Sequence, residues 1–143
     1  MCENGMVLVV GNVSLSAFPE DFPVISAEKV IVVDCPECAV IIGEGAEIPL
    51  VKRAAGVMIN GDSGGSFPAE RLNNVQLITC GRGGKNTVSI TSDSGDTLTL
   101  ALNRAVNSLN GCVEPMEQPM KRTSAPEYDC MAAFAAAIIL SRL

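Results

Sequence analysis

Histidine and tryptophan are absent from the 143-residue chain, and aromatic residues make up only 3 % of it: four Phe and Tyr128. Without histidine the chain has no Ser-His-Asp or Cys-His catalysis of its own, no imidazole metal ligand and no imidazole proton shuttle. Cations are scarce as well. Ten Lys and Arg stand against sixteen Asp and Glu, a net charge of −6. An acidic chain with so few aromatic rings offers nucleic acid neither a cationic groove nor a stacking platform. Long apolar runs are also missing. Met6 to Val10 is too short for the core of a signal peptide, and the longest run, Met131 to Leu140, is about half of a membrane span. These features point to a cytoplasmic chain that does not enter a membrane. In that setting the six cysteines (Cys2, Cys35, Cys38, Cys80, Cys112 and Cys130) read as reduced thiols rather than a disulfide framework.

Hydrophobic residues, by contrast, amount to 48 %, enough for one core, and no repeat or linker divides residues 1–143. Buried strands are expected at Met6 to Val10, Lys29 to Asp34, Val57 to Asn60 and Val75 to Cys80, with a further short one at Ala39 to Ile42. Thr87 to Thr91 alternates with period two and reads as a half-exposed strand. Residues 13–28, with Pro19 and Pro23, read as a surface loop. Glu47 to Ala55 reads as a helix, because Ile48, Val51 and Ala55 share a helical face, Pro49 stands in the first turn and Gly56 follows. Gly61 to Ser66 reads as a loop, with a short helix after it at Pro68 to Leu72. Residues 97–109 fit two patterns. Thr97 to Leu102 alternates like a strand, yet Leu98, Leu102, Ala105, Val106 and Leu109 form a helical stripe with Asp96 as cap, and the longer pattern favours a helix. Val113 to Lys121, with Pro115 and Pro119, can be only an edge strand or extended chain. Tyr128 to Leu143 reads as a buried helix. Strands alternating with helices imply an α/β fold: a single three-layer domain with a largely parallel sheet and helices on both faces.

The run Gly56-Val-Met-Ile-Asn-Gly-Asp62, a short helix, then Val75-Gln-Leu-Ile-Thr-Cys-Gly81 and Thr87-Val-Ser-Ile90 resembles the second half of the central domain of the Mur ligases and folylpolyglutamate synthetases. The final helix, with Asp129-Cys-Met-Ala-Ala-Phe-Ala-Ala-Ala137, is similar to the Asn-x-x-Ala-Ala helix that closes that domain, and Lys29 to Asp34 would match an earlier strand. The resemblance covers residues 29–91 and 125–143 and implies the sheet architecture. It does not extend to the ATP machinery. Val10-Gly11-Asn12-Val13 lacks the family's Gly-Lys-Thr/Ser phosphate loop, Ala125-Pro126 and Asp129 stand where the family's His-Asn start and second Asn would fall, and the metal-holding Glu and His have no counterpart.

Candidate sites lie at strand ends. Asn60, Asp62 and Ser63 end one buried strand and Asp34 another. If the two strands are parallel neighbours, Asp34 and Asp62 flank one crevice, with Cys35 and Cys80 nearby, where open α/β sheets bind ligands. Paired carboxylates there serve acid–base work or hold Mg²⁺; alternatively they are turn residues that cap strands with their side chains. Cys35-Pro36-Glu37-Cys38 has the spacing of a zinc-chelating or disulfide-cycling pair, although two ordinary thiols beside a turn are the expected reading. Gly81-Arg82-Gly83-Gly84-Lys85-Asn86-Thr87 lacks P-loop spacing and leads into a strand, so it reads as a turn in which Arg82 and Lys85 can meet an anion weakly.

The expected function is therefore a non-catalytic module, a truncated relative of the Mur-type domain, that binds a protein partner or a small ligand through Asp34, Cys35, Cys38, Asn60, Asp62, Ser63 and Arg82, with no catalytic residue, metal or cofactor. The alternative is an enzyme, ligase-like or thiol-dependent, that uses the same strand-end Asp and Cys residues. The final helix is apolar on every face, which argues for a two-fold homodimer unless the chain itself covers it.

Overall fold

In a computed structural model the chain is described at residues 5–62 and 69–143. Ser63, Cys2 and most of the expected loop at Gly61 to Ser66 lie outside the described residues. Twelve strands and one α-helix are placed there. Strands β1 (Met6–Val10), β2 (Val24–Ala27), β4 (Cys38–Ile42), β6 (Gly56–Asn60), β7 (Leu77–Cys80), β8 (Val88–Asp93), β9 (Thr97–Leu102) and β12 (Met116–Lys121) form an eight-stranded sheet in the order β12-β9-β8-β7-β6-β4-β1-β2. From β8 to β2 every pairing is parallel, and β8-β9 and β9-β12 are antiparallel. Strands β3 (Val32–Asp34) and β5 (Leu50–Arg53) pair in parallel as a separate small sheet, which a bridge from Val51 to Leu72 extends. A hairpin, β10 (Val106–Ser108) with β11 (Gly111–Val113), and helix α1 (Glu127–Ile139) complete the fold.

The chain coils. It passes from β3 to β4, from β5 to β6 and from Leu72 to β7, so each coil adds one short stretch to the small sheet and one strand to the large sheet. The arrangement is β-solenoid-like. Val10, Val33, Cys38, Val40, Ile42, Val51 and Val57 fill the space between the two sheets. Helix α1 packs on the other face of the large sheet over a second core that includes Val7, Val9, Ile41, Met58, Ile78 and Leu100. The expected α/β domain with helices on both faces is thus incorrect. Among the described residues one α-helix covers one face, and a second β-layer covers the other.

Two helix readings fail, and for the same reason. Residues 50–53 are strand β5: Val51 points into the core at 0 % exposure while Lys52 and Arg53 face outward. A nine-residue helix is marginal by itself, and pairing with β3 supplies the backbone hydrogen bonds instead. Residues 97–102 are strand β9, with Leu98, Leu100 and Leu102 all buried on one face between β8 and β12. The helical stripe left Leu100 unexplained, whereas period two accounts for it. The segment Lys29 to Asp34 contributes only β3, in the small sheet. The short helix expected near residues 68–72 is one 3-10 turn at Ala69–Arg71, and the surface loop at 13–28 contains edge strand β2. The readings at Met6 to Val10, 39–42, 57–60, 75–80 and 87–91 are strands, and Val113 to Lys121 supplies edge strand β12, whose Pro119, Glu117 and Lys121 discourage pairing with another chain.

Helix α1 starts where its sequence places it but ends at Ile139 rather than Leu143, and every residue from Asp129 to Ile139 is buried within the single chain. The segment carrying Ala17, Phe18 and Phe22 covers one side of it, and Val106, Leu109 and Val113 of the hairpin region cover another. The bare apolar helix that argued for a dimer is therefore covered by the chain itself. The Tyr128 hydroxyl ties the first turn of α1 to the large sheet, reaching the Ile42 carbonyl at 2.6 Å and the Met58 carbonyl at 3.1 Å. No helix among the described residues is long and apolar enough to cross a membrane.

Candidate functional site

The parallel strands β1, β4, β6 and β7 end at one edge, and each is followed by glycine: Gly11, Gly43, Gly61 and Gly81. These glycines leave room for the following turns to fold back over the strand ends. At β6 the Asn60 amide accepts the Asp62 N–H at 2.9 Å and donates to Glu44 at 3.0 Å. The Asp62 carboxylate then lies over the turn that follows β7. It accepts the Arg82 N–H at 2.7 Å and the Asn86 amide at 3.1 Å, and the Gly83 N–H also points at it. A side chain on Gly81 would meet that carboxylate at 2.5 Å. Asn86, 2 % exposed, also donates to the Gly83 carbonyl at 2.9 Å.

Arg82 projects from this turn to the start of α1. Its guanidinium grips both Glu127 oxygens, at 2.7 and 2.5 Å, and approaches Asp93 at 3.5 Å; Arg122 pairs with the same Asp93. Glu127 is in the first helical turn, where the helix dipole also favours an anion. Arg82 holds the Glu127 carboxyl, and Arg122 the Asp93 carboxyl, below the usual carboxylate range. Asp129 has the opposite sense: burial raises it, although the Ser14 N–H donates to it at 2.7 Å.

Asn60, Asp62 and Arg82 are thus brought together. Asp34, Cys35 and Cys38 are not with them. Asp34 ends β3 in the small sheet, paired with Arg53 at 2.5 Å, and Cys38 begins β4 at the opposite edge of the large sheet, about a 16 Å strand length away. The single crevice flanked by Asp34 and Asp62 does not exist, because β3 and β6 are in different sheets. Cys80 is fully buried at the end of β7, and burial pushes its thiol well up. Asn86, Asp93, Arg122 and Glu127 went unrecognised in the sequence, since only the solenoid turn and the antiparallel strands bring them to Asp62 and Arg82.

The Arg82 N–H is the main cause that holds the Asp62 carboxyl below its ordinary range; burial opposes this, and the Asn86 amide and the Gly83 N–H add to it. A lowered carboxyl stabilises the fold above the unfolded-state range and loses that contribution as pH falls through the folded value. Asp62→Asn keeps an acceptor oxygen but cannot titrate. The variant should be less stable than wild type near neutral pH, and the gap in urea midpoints should narrow at a pH below the unfolded carboxylate's value of about 3.9. An equal gap at both pH values would show that Asp62 contributes by shape alone.

A concavity elsewhere on the protein has no strand-end carboxylate. Phe18 and Phe22, Met120 of β12, and Ala133, Phe134 and Ala137 of α1 line an apolar groove of about 470 Å³. Three of the four phenylalanines are on its wall. Among the described residues Arg142 is its one charged lining side chain, with the guanidinium carbon 5.6 Å from the Phe22 ring centre. A visible signal was Phe18 and Phe22 in a segment read as surface loop, because two rings four residues apart need something to cover.

Comparison of the chain with protein-family models, with curated proteins and with solved structures finds no match.

Proposed function

We propose that the chain is a non-catalytic binding module whose ligand is a small amphiphile with an apolar body and an anionic head, held in the groove between Phe22 and Phe134. The groove itself carries the reading. Its volume lies within the roughly 300–1,000 Å³ typical of small-molecule sites, its wall is apolar, and its one charged side chain is a cation on a chain of net charge −6. The polar groups at the strand ends argue against catalysis there, because Asp62, Asn86, Arg82, Asp93 and Glu127 bond to one another and hold the turns and the helix start in place. The five described cysteines are free thiols, which supports a cytoplasmic setting, where thiols stay reduced.

The test is urea unfolding with dodecanoate below its micelle concentration. A ligand at about 100 times its Kd that binds only the folded state adds about 2.7 kcal/mol. Dodecanoate should raise the midpoint, acetate and Mg-ATP should not, Arg142→Gln should erase the preference for dodecanoate over dodecanol, and Phe22→Ala should remove both effects. No midpoint shift in wild type, or the same shift in Phe22→Ala, overturns the proposal. So does a light-scattering mass that rises with protein concentration and returns to one chain in Phe22→Ala, since a second copy would then occupy the groove.

A further inference from the structure

The corner between β3 and β4 is Cys35-Pro36-Glu37-Cys38. The Cys38 N–H donates to the Cys35 carbonyl at 3.2 Å, closing a four-residue turn. Proline stands at its second position, where a fixed φ near −65° suits the turn. Such a turn holds its first and last Cα atoms within about 7 Å, and a disulfide needs roughly 4.4–6.8 Å. The Cys35 thiol is also a charge neighbour of Cys38. Their exposure differs. Cys35 is half-buried, whereas Cys38 is 2 % exposed in the core between the sheets. The Arg53 carbonyl accepts the Cys35 N–H at 3.0 Å, and the Arg53 guanidinium is within electrostatic reach of Cys35.

We propose that Cys35 and Cys38 are a redox-active dithiol, with Cys35 the attacking and Cys38 the resolving thiol, which a low-molecular-weight disulfide converts to an intramolecular disulfide. In the first step the Cys35 thiolate attacks one sulfur of the small disulfide. The S–S bond of the small molecule breaks, a mixed disulfide forms on Cys35, and one small thiolate leaves with the electron pair. In the second step Cys38 gives its proton to water and attacks the Cys35 sulfur. The mixed disulfide breaks, the Cys35–Cys38 bond forms, and a second small thiolate leaves. The protein loses two electrons and two protons, and the small disulfide becomes two thiols.

The order follows from the surroundings. Burial, with the negative charge of Cys35 beside it, pushes the Cys38 thiol up to about 11. Formation of the mixed disulfide removes that charge, while burial, the larger cause, remains. The proposal departs from the expectation of two ordinary thiols beside a turn.

The experiment places the full chain in glutathione buffers of graded disulfide-to-thiol ratio, followed by acid quenching, alkylation and peptide mass mapping. Cys112, exposed on β11, serves as the internal control. The peptide that carries Cys35 and Cys38 should lose two hydrogens and resist alkylation at ratios that leave Cys112 a thiol or a glutathione adduct. Cys38→Ser should trap glutathione on Cys35, and Cys35→Ser should leave Cys38 unmodified. A glutathione adduct on Cys35 that persists in wild type would overturn the proposal, as would oxidation of Cys35 no faster than that of Cys112. Zinc bound by the reduced chain and lost in Cys35→Ser/Cys38→Ser would overturn it in favour of a metal site.

Discussion

Ala136→Glu should yield no folded protein. Ala136 is 0 % exposed in a helix that is buried from Asp129 to Ile139, between the large sheet and the segment carrying Phe18 and Phe22. Two penalties act together. Extra side-chain atoms in a filled core cost about 1–3 kcal/mol. An unpaired carboxylate there costs several kcal/mol more, or must take up a proton to stay neutral. Their sum reaches the roughly 5–15 kcal/mol that holds a domain of this size together. Far-UV circular dichroism should show loss of both strand and helix signal, or the variant should be recovered only from the insoluble fraction. Ala136→Ser is the control. Its hydroxyl can bond back to the Ala132 carbonyl one turn earlier, and it should fold with a loss of about 1 kcal/mol. Were α1 an interface between copies, Ala136→Glu would instead be a folded single chain with the spectrum of wild type. That result would contradict the burial of α1 and restore the dimer argument.

The strands of the large sheet were legible wherever apolar residues run continuously. Val7 to Val10, Ala39 to Ile42 and Val57 to Met58 are buried from both sides, by α1 and by the small sheet, so no polar residue interrupts them. Continuous burial on both faces does not say what supplies the cover. Helices are the usual source, which is why the segment at 47–55 read as one. A solenoid instead covers its sheet with its own returning chain, and those returns are short. β3 and β5 together supply few apolar side chains, with Val33 and Val51 inward and Arg53 outward, too few to show a period. The glycines after β1, β4, β6 and β7 were visible, but their shared role depends on the strands ending side by side. At the site, Asn60, Asp62 and Arg82 were legible because strand-end turns collect polar residues. The partners on β8, on the segment after β12 and at the start of α1 were not, since the residues between Arg82 and Glu127 fold as β8 to β12 before the chain returns to the same corner.

Gly61→Ala should lower stability by about 3 kcal/mol and the melting temperature by on the order of 10 °C. A Cβ on residue 61 would stand 1.8 Å from Asn86 Oδ1 and 2.9 Å from Asn86 Cγ, so Asn86 must move. That side chain is short and 2 % exposed, and its amide is committed to Asp62 and to the Gly83 carbonyl. Displacement both overpacks the corner and strips hydrogen bonds from a buried amide, each worth about 1–3 kcal/mol. The Asp62 carboxylate then loses one of the contacts that join the end of β6 to the turn after β7. Gly84→Ala lies in the same turn with nothing within 4 Å of its Cβ, and should change stability by less than about 0.5 kcal/mol. The decisive comparison is a double-mutant cycle. In an Asn86→Ala background the two shortest contacts are gone and the next, to Thr79, is at 3.0 Å, so Gly61→Ala should there cost less than about 1 kcal/mol. Equal costs in the two backgrounds would mean that Gly61 serves its own backbone rather than Asn86. A smaller cost in the Asn86→Ala background would assign the glycine after β6 to the Asn86–Asp62 contact that closes the strand-end corner.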